Sequence, residues 1–142
     1  MPGVSDVGST DTAPSPQGAE TILVVEDEEP VRRLIQMVLE DNGYAVLAVE
    51  QGAEAIALSE DPERHIDLLV ADINLPDMNG RELAQRVRIN RPEMKLLYMS
   101  GYGDSAVADW GIVPHGMLFL SKPFTPSTLA AKVRELLDGQ RD

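Results

Sequence analysis

The segment "LLVADINLPDMNG", residues 68–80, decides the fold. It opens as an unbroken apolar run, the pattern of a strand buried on both faces of a parallel sheet. It then meets Asp72 and breaks into a turn containing Pro76 and Gly80. A core strand that stops at a carboxylate puts that carboxylate at the rim of the sheet. Open parallel sheets bind ligands outside the carboxyl ends of their strands, at the point where strand order reverses.

Working outward, four more runs have the same character: "TILVV" (21–25), "YAVLAV" (44–49), "MKLLYM" (94–99) and "GMLFL" (116–120). Helical patterns separate them. Pro30 suits a first helical turn, and Val31, Leu34, Ile35, Val38 and Leu39 follow at helical spacing. Asn42-Gly43 closes that helix. Residues 52–60 form a short helix with Ala53, Ile56 and Ala57 inward. Asn79 caps a third helix, with Leu83 and Val87 inward, reaching Asn90 before Arg91-Pro92. A short fourth helix falls near 104–110. Thr125-Pro126 starts the last, with Leu129, Val133, Leu136 and Leu137 inward and Gly139 at its end. Five strands alternating with five helices predict an α/β domain, doubly wound around an open five-stranded parallel sheet.

The bulk numbers agree. A chain of 142 residues, 43% apolar, carries one sizeable core. Cysteine is absent, so disulfides, thiolate chemistry and Cys-based zinc sites are excluded. The net charge of −12 repels phosphate backbones, argues against nucleic-acid binding and favours cations and basic partner surfaces. No apolar run approaches the ~18 residues of a membrane span. The opening "MPGVSDVGST" has neither the basic region nor the apolar core of a secretory signal, which predicts a cytoplasmic location. Residues 1–20, rich in Gly, Ser, Thr and Pro, read as a flexible leader or linker, and residues 21–140 as the folded domain.

The residues that close each apolar run carry the chemistry. Strand one ends in Glu26-Asp27, strand three in Asp72, strand four in Ser100, and strand five in Ser121-Lys122-Pro123. Each has a plain explanation alone. Acids before Pro30 complement a helix dipole. Asp72 and Ser100 suit turns, and Lys122 suits a solvated surface. Together they gather three carboxylates, a hydroxyl and an ammonium on one edge of one sheet. The first loop also excludes a dinucleotide site: a Gly-x-Gly-x-x-Gly turn would stand there, and Glu26, Asp27, Glu28 and Glu29 stand instead. These carboxylates repel phosphate and attract a hard divalent cation such as Mg²⁺. Asp27 and Asp72 are two candidate ligands if strands one and three are neighbours. Without metal, one of these two like-charged acids should show a raised pKa.

The chain resembles the receiver domain of bacterial two-component response regulators over about residues 21–138. The resemblance rests on four motifs in order: "ILVVEDE" (22–28), "LLVADINLPDMNG" (68–80), "LLYMSGY" (96–102) and "FLSKPF" (119–124). It implies a flavodoxin-like strand order 2-1-3-4-5. It implies Asp72 as the phosphoacceptor. Asp27 would bind Mg²⁺ directly, Glu26 through water, and Asn74 through its main-chain carbonyl. Ser100 would be the switch hydroxyl, Lys122 the phosphoryl contact and Phe119 the switch aromatic. Asn74 and Tyr102 would tune hydrolysis of the acyl phosphate. The implied partner is a histidine kinase or histidine phosphotransfer protein, and the chain is not a stand-alone enzyme.

Departures from the commonest pattern are Glu26 for Asp, Ser100 for Thr and Phe119 for Tyr. Gly111, Pro114 and Gly116 shorten the fourth helix, a feature similar to receivers at the C-terminus of hybrid sensor histidine kinases. Two other readings compete: a docking module of the same fold that is never phosphorylated, and an Mg²⁺-dependent phosphohydrolase with an aspartate nucleophile. The first predicts loss of Asp72, Asp27 or Lys122, and all three are present. The second usually places its nucleophile after strand one, with a second Asp two residues on; here the candidate follows strand three and position 74 is Asn. His65 and His115 are expected at the solvent surface, and Trp110 in packing.

Overall fold

The computed structural model describes residues 20–100 and 117–138. The elements in order are β1 (Thr21–Val25), α1 (Glu29–Asp41), β2 (Ala45–Val49), α2 (Gly52–Ser59), β3 (Leu68–Asp72), α3 (Gly80–Asn90), β4 (Lys95–Ser100), β5 (Met117–Ser121) and α4 (Pro126–Leu137). The expected helix near 104–110 lies outside the described residues, as do Tyr102, Trp110, His115 and the leader up to residue 19. All strand pairs are parallel and the sheet order is β2-β1-β3-β4-β5, as the resemblance implied.

Each strand is apolar on both sides because each side meets helices. Ile22, Val24, Leu68, Val70, Leu97, Met99 and Leu120 face Ile35, Val38 and Leu39 of α1 and Leu129, Val133 and Leu136 of α4. Leu23, Val25, Leu69, Ala71, Leu96 and Tyr98 face Ala55 of α2 and Leu83, Ala84 and Val87 of α3. A fully buried Leu or Ile stabilises by about 1.5–3 kcal/mol, so these two layers dominate the fold. Alternation cannot fix the position of a strand that is apolar on both faces. In β3 the carboxylate of Asp72 does so, because sliding it inward would strip an ion of its partners.

Helix ends follow the local chemistry that the sequence announced. Asn79 accepts the Glu82 N–H at 2.8 Å and starts α3; Thr125 accepts the Thr128 N–H at 3.1 Å and starts α4. Gly43, at φ 93°, supplies the left-handed residue after α1. The expected rotation of α2 needs correction. Ala53 and Ala57 are exposed, Ile56 is half-buried, and Gly52, Ala55 and Ser59 form the inward stripe. "GAEAIALS" is apolar on several sides, so its period does not choose a face. Contacts from the loop after β3 choose it. Leu137 of α4 is half-buried rather than core. Leu34 on α1 is exposed despite its helical spacing.

Candidate functional site

The order β2-β1-β3 places the ends of β1 and β3 side by side: Val25 pairs with Ala71, and Glu26 and Asp72 are the next residues on each strand. Glu26 is wholly buried, its N–H donating to the Val49 carbonyl at 3.1 Å and its carboxylate accepting the Glu28 N–H at 3.1 Å. Asp72 is also buried, and Asp27 is exposed. Carboxylate oxygens of Glu26, Asp27 and Asp72 all lie within 4.8 Å of one another.

Lys122 enters from the far strand. Its backbone N–H donates to the Ser100 carbonyl at 2.8 Å, continuing the β4–β5 ladder past the Ser100–Ser121 pair. Its ammonium then reaches across to Asp72 Oδ2 at 2.6 Å and Glu26 Oε1 at 3.2 Å. The other oxygen of Asp72, Oδ1, accepts the Asn74 N–H at 3.0 Å. Asn74 also bridges to Asn79 within the loop that follows β3. The Lys122–Pro123 peptide bond is cis.

Burial pushes the Glu26 carboxyl above its ordinary range; the Glu28 N–H and the Lys122 charge pull against that, and the Asp72 charge adds to it. Burial disfavours the Lys122 ammonium, but its hydrogen bond to Asp72 and the charges of Asp72 and Glu26 overcome this and raise its pKa. Glu26, whose titration the sequence reading did not single out, thus carries a raised pKa. Burial, a tertiary property, is the first cause.

Ser100 ends β4 and is buried. Phe119 is half-buried, with its ring stacked on Tyr98 at 5.7 Å between centroids. Tyr98 in turn donates its hydroxyl to the Gly80 carbonyl at 3.0 Å. His65 is exposed and within 2.9 Å of Asp67. Sequence reasoning missed two residues, one bonded to the notch and one on the loop after β3. Arg32 donates to the Glu26 carbonyl at 2.9 Å and lies 3.7 Å from Glu50. Asp77 accepts the N–H groups of Gly52 and Ala53. Asp77 acts on a helix 24 or 25 residues upstream, and Arg32 reaches a main-chain carbonyl six residues back, so no side-chain motif marks either.

The arrangement is chemically one-sided. Three carboxylates face one ammonium, so with every group ionised two negative charges remain uncompensated. Hard, closely spaced oxygen donors with that excess fit a small divalent cation of the Mg²⁺ class.

A doubly wound parallel sheet with an acidic notch at its switch point defines a class of α/β domains. The profile of the response regulator receiver domain matches residues 22–134, and the chain belongs to that family. It is 35% identical over 123 residues to the sensor kinase CckA of Brucella abortus, covering 87% of this chain and 13% of the kinase. It is 34% identical over 117 residues to the response regulator receiver protein CpdR of the same organism, covering 82% of this chain and 95% of that protein. The crystal structure of a response regulator receiver protein from Sinorhizobium medicae superposes with a TM-score of 0.76 at 32% identity, over 86% of this chain and 97% of that one. The chain spans 50% and 47% of the length of two further curated relatives, both transcriptional regulators. Receiver domains are the regulatory modules of two-component systems and bind Mg²⁺ at an acidic pocket. Among the described residues no helix is long and apolar enough to cross a membrane.

Proposed function

We propose that this receiver takes a phosphoryl group onto Asp72 from a phosphohistidine, carried by a histidine kinase or a histidine phosphotransfer protein, and that the transfer depends on Mg²⁺. The observation that carries the reading is the shared notch: Glu26, Asp27 and Asp72 converge within 4.8 Å while Lys122 holds Asp72 at 2.6 Å. Glu26, Asp27, Asp72 and the Asn74 main-chain carbonyl are the residues that would hold the cation. When bound, it supplies positive charge against both the carboxylates and the incoming phosphoryl oxygens.

The chain's own residues do the rest. Asn74 N–H and the Lys122 ammonium each hold one oxygen of Asp72, which fixes the direction from which the carboxylate meets phosphorus. A carboxylate oxygen forms the new O–P bond as the P–N bond breaks. The P–N electron pair leaves with the imidazole, which keeps a proton on its other nitrogen and departs neutral. As Asp72 becomes an acyl phosphate, Lys122 turns from the carboxylate to the phosphoryl oxygens. Ser100, buried at the end of the adjacent strand, donates its hydroxyl to one of those oxygens. Phe119 then turns on β5, and Asn74 and Tyr102 tune the lifetime of the acyl phosphate. The output is a population shift driven by contacts that only the phosphorylated state makes. The kinship to CckA supports a hybrid-kinase parent, with residues 1–20 as a tether to it.

The test is direct. Incubate the chain with a small phosphodonor, with Mg²⁺ or with excess chelator, and map the added mass by peptide. One phosphoryl group on Asp72, only with Mg²⁺ and absent from Asp72→Asn, is expected. Modification at another residue, or equal modification in chelator, refutes the assignment.

A further inference from the structure

Helix α2 begins with four backbone N–H groups that have no helical acceptor. Two are met locally: Gln51 N–H donates to Glu54 Oε1 at 3.1 Å, and Glu54 N–H to the Gln51 carbonyl at 3.2 Å. The other two are met from another part of the chain. Gly52 N–H donates to Asp77 Oδ1 at 3.0 Å, and Ala53 N–H to Asp77 Oδ2 at 2.9 Å. Asp77 is five residues beyond Asp72 in sequence, and both its oxygens serve a helix 24 or 25 residues upstream.

The loop from residue 73 to 79 is held at its base as well. Asn74 N–H donates to Asp72 Oδ1 at 3.0 Å, Asn74 bridges to Asn79, and Leu75 N–H donates to the Met78 carbonyl at 3.3 Å. Pro76 and Asp77 form the tip. The tip is stapled to α2 a second time by Met78: a Cβ built on Gly52 would lie 2.8 Å from Met78 Sδ. Asn74 therefore sits between two anchors, Asp72 below and α2 above. The Asp77 carboxyl is held below its ordinary range, because the Ala53 and Gly52 N–H groups outweigh its slight burial.

We infer that Asp77 is a positioning residue for the cation site: capping the start of α2, it holds the loop that presents the Asn74 main-chain carbonyl. This deepens the proposed function and rests on it. Asp77 touches neither the cation nor the phosphoryl group. Its effect passes through the placement of residues 74–79. Losing a two-bond cap weakens the fit by an amount that corresponds to a change of about fivefold in Mg²⁺ affinity.

The experiment is a calorimetric Mg²⁺ titration of the full chain, paired with urea unfolding in chelator. Asp77→Ala is expected to bind Mg²⁺ about fivefold more weakly. Asp77→Asn keeps a carbonyl oxygen for one N–H and recovers part of the affinity. Gly52→Ala, which leaves Asp77 intact but presses on Met78, weakens Mg²⁺ in the same direction. A purely structural cap predicts lower urea midpoints with unchanged Mg²⁺ affinity in all three variants, and that result overturns the inference. Asp77→Asn and Gly52→Ala serve the same purpose if Asp77→Ala does not fold. A wild-type chain that binds no Mg²⁺, like an Asp72→Asn control, overturns the cation reading and this inference with it. Wild-type binding with unchanged variants overturns this inference alone.

Discussion

Strand β1 has an ionic cluster at each end, and the two differ in kind. Before it, Glu20 meets Arg134 through two hydrogen bonds of 3.2 and 3.1 Å, and Arg134 also holds Asp138 at 3.0 Å and the Tyr44 hydroxyl at 3.0 Å. There one guanidinium is shared between two carboxylates and a hydroxyl, in a partly solvated setting that joins the start of β1 to the end of α4. After β1, the Lys122 ammonium holds Asp72 and fully buried Glu26, while Asp27 adds a third carboxylate within 4.8 Å of both. The first cluster ties the fold together. The second gathers more negative charge than Lys122 offsets, which suits the divalent cation of the proposed function.

The largest break in that contrast comes from Lys122→Met. It leaves buried Glu26 and Asp72 without their ammonium, so stability in chelator falls by about 2–3 kcal/mol, measurable by urea unfolding. Mg²⁺ restores part of the loss. Phosphorylation by a small donor slows by about 10²-fold, read by the rate of mass gain. Arg134→Ala, at the other end of the same strand, costs about 1 kcal/mol and leaves the phosphorylation rate unchanged. A change in that rate would erase the distinction between the two clusters.

The smallest effect is in pH. Because the folded-state pKa of Glu26 is raised, the native chain binds more protons there than the unfolded chain, between the ordinary glutamate value and the raised one. Stability in chelator therefore declines as pH rises through that window. Glu26→Gln flattens this part of the stability–pH profile, and an unchanged slope would show that another group sets it.

The sequence exposed the notch because strand ends are local features. "VVED", "VAD" and "LSKP" each mark where an apolar run stops, and a parallel sheet aligns such stops on one edge. Caps at Asn79 and Thr125 were legible for the same reason. The rotation of α2 was not, since its alanines face several directions and the deciding contacts come from Asp77 and Met78. Arg32 was hidden too: its partners are a carbonyl and a distant glutamate. The proton affinity of Glu26 depends on burial, which only the assembled sheet creates.

The central claim is that the notch is an unbalanced charge cluster completed by a divalent cation. Urea unfolding of the wild-type chain in Mg²⁺, against chelator at matched ionic strength, tests it most directly. A cation that binds only the folded state adds about 2.7 kcal/mol at a concentration a hundredfold above its dissociation constant. The account predicts a higher midpoint in Mg²⁺, with the gain lost in Asp72→Asn. Superimposable wild-type curves would contradict it.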